Sequence, residues 1–485
     1  MDIGILFNWI EQNSLWINIV LALIIIYSNR RRPPRSTMLW VMMIAIFPII
    51  GFFSYLLLGQ DTRRRKLFHQ KESLDVDVLQ HALIKWDEAT THVPLEDEGR
   101  FQDYLELIRL NVRMGLTNLS GDNEVEAIFD GRTKFMRLIR DIDEAQEEIT
   151  FQYYILKSDN LGSIVIEALM RAARRGVKVR VLTDGVGGRD LSKEMRRMMQ
   201  EVGIQIGIFY PSFLRYINLR LNYRNHRKLC IIDGRVGYIG GMNIALRYVK
   251  GDKMPWRDTH LRIVGGAVYA IQKAFLIDWY FVDRTLITDH AYYPEPDSRI
   301  DNNCLAQIVT SSPVQPWPDI MQGYVRILLE ARRYVYMETP YFLPTEPILF
   351  AMRTAALAGV DVRLMIPMRT DAKLVEWASI SYVMETLEAG VKVHLYQAGF
   401  NHSKMLVSDD FLCSCGSSNI DFRSFENNFE SNAFFYDSAL ALRMKKVFLD
   451  DLQQCVPIEK VQRLMRRPFL LRLWESIIRL LSPLL

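Results

Sequence analysis

The chain's 485 residues suffice for about two to four domains, and 49% hydrophobic with 24% charged residues excludes a disordered or collagen-like chain. A net charge of +4 is too balanced to select nucleic acid as a partner by bulk electrostatics. Five cysteines (Cys230, Cys304, Cys413, Cys415 and Cys455) form no CxxC pair and no Cys/His cluster, which argues against a disulfide scaffold and offers no zinc site.

The N-terminus departs from this average. An apolar stretch runs from Ile10 to Ser28, with its core from Leu15 to Tyr27. No positive region precedes it, so a signal peptide is disfavoured. Residues 37–59 carry no charge. As one helix they would be about 34 Å long, enough to cross a hydrocarbon core of about 30 Å, with a kink at Pro48. The sequence therefore predicts a two-span transmembrane hairpin over 1–60, closed by the loop Asn29–Ser36. The loop carries Arg30, Arg31, Arg32 and Arg35, and the flank after the second span carries Arg63, Arg64, Arg65, Lys66 and Lys71. That balance does not orient the hairpin. A disulfide-poor body suits the cytoplasmic side. Residues 61–123 read as a juxtamembrane linker.

The body reads as a duplicated unit, 124–300 and 301–455. Residues 147–156 form a predicted strand after a helix ending near Ala145. Residues 333–342 do the same after a helix ending near Ala331. Residues 174–182 and 357–365 each place a glycine at a helix end and follow it with an alternating strand. Residues 201–210 and 388–396 repeat the pattern once more. Strands alternating with helices predict an α/β fold, two repeated α/β/α domains with a shared cleft. The first repeat has extra basic and apolar residues, Pro211 to Asn225, which read as a rim of the substrate entrance.

Both repeats carry one motif at the same place. The first has His226, Lys228, Asp233, Gly240 and Asn243. The second has His402, Lys404, Asp409, Gly416 and Asn419. A single His-x-Lys means nothing, but two with identical internal spacing use two of only eight histidines. Residues two apart on a strand share a face, so each His and Lys can address one ligand. Asp233 and Asp409 follow at odd spacings from His and Lys and are expected to brace the next turn.

The constellation resembles the phospholipase D superfamily, whose signature is a doubled HxKx4D. The finer resemblance is to bacterial cardiolipin synthases. It is carried by ThrProTyrPheLeuPro (339–344), residues 421–430, TrpArgAspThrHis (256–260), the N-terminal hairpin and the basic, Leu-rich C-terminus. Gly241 stands where the family usually has Ser. The resemblance implies two phospholipase D-like domains and a phosphatidyltransferase making cardiolipin and glycerol from two phosphatidylglycerols. His226 would be the nucleophile and His402 the acid and base. Asp258 and Glu430 would orient the histidines. Lys228, Lys404, Asn243 and Asn419 would stabilise charge on the phosphoryl oxygens, and Gly240 and Ser417 would complete the substrate-binding set. Asp233 and Asp409 complete the catalytic motif.

No acidic cluster for a metal is apparent, so no metal and no cofactor are expected. The expected partners are phosphatidylglycerol and cardiolipin in a bilayer, not nucleic acid, and a homo-oligomer is left open. The expected location is a bacterial cell membrane, multi-pass, with a cytoplasmic body. A membrane-bound phospholipase D-type hydrolase would use the same residues. A nuclease would want a strongly basic cleft, and a dead lipid-binding scaffold would not keep both His and both Lys. The basic amphipathic tail, 456–485, interleaves Leu464, Phe469, Leu473, Trp474 and Ile478 with Arg463, Arg466, Arg467, Arg472 and Arg479. It suits either an interfacial helix or a helix packed on its own domain.

Overall fold

The structure, a computed structural model, describes residues 14–28, 34–55, 102–115, 117–210, 223–285, 287, 294, 300 and 304–482. Residues 61–101 of the expected linker, the loop at 29–33 and the expected rim at 211–222 lie outside the described residues. The N-terminal helices and the body form two separate units.

The N-terminal unit holds helices Ser14–Ser28, Pro34–Ile46 and Pro48–Ser54. The expected single second span is broken at Phe47 (φ −131°, ψ 77°), because Pro48 starts a helix more readily than it continues one. Ile25, Ile44 and Tyr55 are buried together, and Trp40 meets Tyr55 edge-on at 5.5 Å. Among the described residues, no helix is long and apolar enough to cross a membrane.

Two mixed sheets form the body. The first runs, in order across the sheet, Asn123–Ile128, His260–Gly265, Val236–Gly240, Lys228–Ile232, Glu148–Tyr153, Lys178–Asp184 and Gln205–Phe209. The second runs Leu305–Ser311, Glu430–Tyr436, Leu412–Gly416, Met405–Ser408, Tyr334–Glu338, Asp361–Pro367 and Lys392–Tyr396, then adds Cys455–Pro457 at the edge. Apart from that added strand the order is the same. In each sheet the central strand pairs in parallel with the strand of the next α/β unit and antiparallel with the strand that follows the His-x-Lys segment. Helices cover the sheets, and each sheet has its own apolar core. Asp130, Asp159, Ser192 and Asp437 cap helix starts by accepting a main-chain N–H. The repeats also join edge to edge, with Ser120 bridging Ala306 and Asn123 donating to the Cys304 carbonyl.

Each His-x-Lys strand ends in a two-residue turn built for φ > 0. Asp233 and Gly234 sit at φ 51° and 61°, and Asp409 and Asp410 at 51° and 62°. The Asp233 carboxylate accepts from Gln146, Glu147 and Glu148 N at 2.8–2.9 Å. The Asp409 carboxylate accepts from Arg332, Arg333 and Tyr334 N at 2.7–2.9 Å. Both thus tie the hairpin to the start of the central strand. They stand seven residues from their histidines, about 20 Å of extended chain, and belong to the scaffold rather than to the reacting groups.

Candidate active site

Each histidine is placed by the opposite repeat. Asn225 bridges Phe429, and Phe400–Asn401 pairs with Trp256–Arg257. His226 N donates to the Phe429 carbonyl (2.9 Å), and His402 N to the Arg257 carbonyl (2.7 Å). The next residue on each partner strand is the carboxylate. Glu430 lies 3.0 and 3.1 Å from His226 Nδ1, and Asp258 lies 2.6 Å from His402 Nδ1. An imidazole that gives its Nδ1–H to a carboxylate keeps its Nε2 lone pair for chemistry. Asp258 and Glu430 are therefore exchanged between the repeats, a crossing that sequence spacing does not reveal.

Both lysines are wholly buried, and Lys404 lies beside its ring. Lys404 Nζ is 2.9 and 3.3 Å from the two ring nitrogens of His402. Lys228 Nζ donates to the His226 carbonyl at 2.5 Å. Burial lowers the Lys228 ammonium to about 7 and the Lys404 ammonium to about 8, against the pull of Glu430 and Asp258. Burial also holds both imidazoles below their ordinary value, and Lys404, Lys228 and His226 push His402 further down. Asp258 is raised to about 6 by burial, in spite of Lys404, Thr259 N and Arg257. Burial likewise pushes Glu430 up, but His226, Lys228 and Ser417 outweigh it and hold that carboxyl down. These six groups act on one another and form a single electrostatic cluster.

The smaller expected residues make contacts of their own. Ser417 Oγ donates to Glu430 at 2.5 Å, so it stands behind the carboxylate and steadies it. Its counterpart Gly241 leaves room for the shorter Asp258, whose carboxylate a Cβ there would meet at 2.2 Å. A Ser at 241 would collide with that carboxylate. Gly240 sits at φ 159° against His260, whose Cα a side chain there would meet at 2.6 Å. Asn243 donates to Tyr248 Oη (2.7 Å) and accepts from Ile155 N (3.0 Å). Asn419 donates to Asp421 (2.9 Å). Both side-chain NH2 groups are engaged within their own repeat.

Sequence reasoning missed Arg227, Arg257 and Asn428. Arg227 reaches Asp278 at 2.7 Å and donates to the Glu430 carbonyl. Asn428 donates to Glu430 at 3.1 Å. Arg257 pairs with Glu338 at 3.5 Å and Asp451 at 2.7 Å. The available signal was the unlike middle residue of the two motifs, Arg227 against Ser403. Aromatic rings wall the site. Tyr154 stands 5.1 Å from His226, while Trp256 and Tyr341 stand 5.1 and 6.5 Å from His402.

Among the described residues, no group of three His, Cys, Asp or Glu could hold a metal ion. Two copies of one α/β unit that set a His and a Lys each into a common site define a phospholipase D-like enzyme. A family model described as cardiolipin synthase, PLD-like domain, matches residues 138–253 and 324–452, and one described as phospholipase D-nuclease N-terminal matches 16–60. The chain is 41% identical over 478 residues to the major cardiolipin synthase of Bacillus subtilis, covering 97% of each chain. It is 39% identical to the cardiolipin synthase of Clostridium perfringens, covering 94% of this chain and 95% of that one. The Staphylococcus aureus (strain Mu50) cardiolipin synthase is 38% identical, with 99% and 98% covered. The phosphatidylserine synthase of Haemophilus influenzae aligns in three dimensions with a TM-score of 0.61, over 78% of this chain and 100% of that one, at 14% identity; this supports the fold alone. The chain belongs to the cardiolipin synthase family.

Proposed function

We infer that this enzyme moves a phosphatidyl group from one phosphatidylglycerol to a hydroxyl of another, giving cardiolipin and glycerol. The observation that carries the reading is the pair of histidines, each oriented through Nδ1 by a carboxylate and each flanked by a buried lysine. His226 Nε2 attacks phosphorus, and the bond to the glycerol oxygen breaks. His402 gives its proton to that oxygen, so glycerol leaves neutral. The terminal hydroxyl of a second phosphatidylglycerol then returns a proton to His402 and attacks phosphorus, breaking the P–N bond. Lys228 and Lys404 offset the charge that develops on the non-bridging oxygens. The arriving phosphodiester anion also offsets the lysine charge that, after burial, disfavours protonation of His402. One phosphodiester is exchanged for another, so no nucleotide or cofactor is needed.

The same reading places the enzyme in a bacterial cell membrane, multi-pass, with its body on the cytoplasmic side. Trp16, Leu23, Met38 and Leu39 are exposed apolar residues of the N-terminal helices. Helices Pro34–Ile46 and Pro48–Ser54 together run about 32 Å through the kink, which suits a bent span. The test is incubation of membranes with labelled phosphatidylglycerol. Cardiolipin with glycerol supports the reading; phosphatidic acid instead supports the hydrolase.

A further inference from the structure

The helix Phe469–Arg479 has three sectors. Its inner sector is bound to the body. Ile478 and Glu475 are buried, Arg467 pairs with Glu475, Arg479 pairs with Glu385 at 2.6 Å, and Trp474 meets Trp377 edge-on at 6.0 Å. A narrow polar sector holds Arg472 and Ser476, both exposed. The remaining, outward sector is apolar and exposed. Phe469, Leu470, Leu473, Ile477 and, just past the helix end, Leu480 keep 46–75% of their surface open. An amphipathic helix docked on a core normally hides its apolar face and shows its polar one. Here the larger apolar face looks away from the body.

We propose that this face is a membrane-docking element, inserting among the lipids of an anionic bilayer and holding the site close to that surface; the inference rests on the reading that the substrate is a membrane phospholipid. Charge selects the occupant. Exposed Arg463, Arg466 and Arg472 border the apolar residues, which suits anionic headgroups. A second copy apposed across a two-fold axis would bring these arginines towards their like. Position supports the same occupant. The helix packs on Lys373–Glu388, which in turn touches the strand Phe342–Leu343 beside Tyr341. Arg463 and Leu464 line one cavity with Pro340 and Phe342. The docking face and the wall of the site are thus one continuous piece of structure.

The test uses the full chain carrying Cys455→Ala and Leu470→Cys, labelled at position 470 with an environment-sensitive fluorophore and reconstituted in phosphatidylglycerol/phosphatidylcholine vesicles. The label is expected to be quenched by nitroxide-bearing lipids and shielded from aqueous iodide. A label open to iodide, or shielded without quenching by lipid nitroxides, as in contact with a second copy, overturns the proposal. In parallel, Leu470→Asp with Leu473→Asp is expected to lower turnover of phosphatidylglycerol in vesicles about tenfold through KM. It should leave turnover of a dissolved short-chain phosphatidylglycerol unchanged. Equal vesicle activity in the variant overturns docking. Failure of the unsubstituted chain on both substrates, with the label still quenched by lipid, overturns the functional reading instead.

Discussion

Arg257 supplies to the second repeat the guanidinium that Arg227 supplies to the first. Arg227 reaches Asp278 within its own repeat, whereas Ser403 stands at the matching place and Arg257 crosses over to Glu338 and Asp451. The same residue carries the carbonyl that holds His402 N and precedes the carboxylate that holds His402 Nδ1. Arg257→Met therefore strips the buried Glu338 and the half-buried Asp451 of their cation and loosens the Asp258 strand together. Thermal or denaturant unfolding should show a loss of about 3–5 kcal/mol. Arg257→Lys should recover part of the stability but less of kcat, since one ammonium cannot match the fork. Equal kcat in the wild type and the Met variant would remove the positioning role.

Trapping separates the histidines. With labelled phosphatidylglycerol and neutral or basic quenching, peptide mass spectrometry should find the adduct on His226. His402→Ala should form it slowly and keep it, because the base of the second step is gone. His226→Ala should show none. Each substitution should reduce synthesis by about two to four orders of magnitude. An adduct on His402 reverses the assignment.

The pH profile follows from the buried groups. Below about pH 6 Asp258 gains a proton and ceases to orient His402. As pH rises through about 7 to 8, Lys228 and Lys404 lose the protons that make them an anion clamp. Thus kcat/KM should be bell-shaped. A bound phosphodiester favours the charged lysines, so the alkaline limb of kcat should lie at higher pH than that of kcat/KM. Lys228→Arg, if active, should move the alkaline limb upward. A flat kcat/KM from pH 7 to 9 would falsify this reading.

Asp233→Ala and Asp409→Ala should each cost about 2–4 kcal/mol of stability, since three main-chain N–H groups lose one acceptor. The folded fraction should turn over at near the wild-type rate. An inactive yet equally stable variant would return these residues to the chemistry.

Chelation offers a separate check. EDTA should leave synthesis intact, because lysine and histidine donors take the place that a carboxylate-bound cation holds elsewhere. Loss of activity restored by Mg²⁺ would overturn this.

The repeat, its alternation of strands and helices and the His-x-Lys pairs were legible because hydrophobic alternation and motif spacing are local properties; the order of the strands across each sheet was not. The turn role of Asp233 and Asp409 was legible from odd spacing along a strand. The exchange of Glu430 and Asp258 was not, since distance along the chain does not say which repeat a side chain will face. Arg257 was hidden for the same reason. Ser417 and Gly241 looked like a lost hydroxyl, when the real difference is the length of the carboxylate each adjoins. The N-terminal break required knowing that Pro48 opens a new helix at Phe47. Periodicity predicted the amphipathic C-terminal helix, but it could not say which face would meet the body.

The exchange of acceptors has a consequence for how such a chain can change. Its halves share one fold, yet neither holds a self-sufficient imidazole. His226 relies on a residue 204 positions downstream, and His402 on one 144 positions upstream. Drift in one half must be answered in the other, so the two copies are inherited as one interlocked gene product. Chains cut between the repeats should regain chemistry only when the fragments are expressed together.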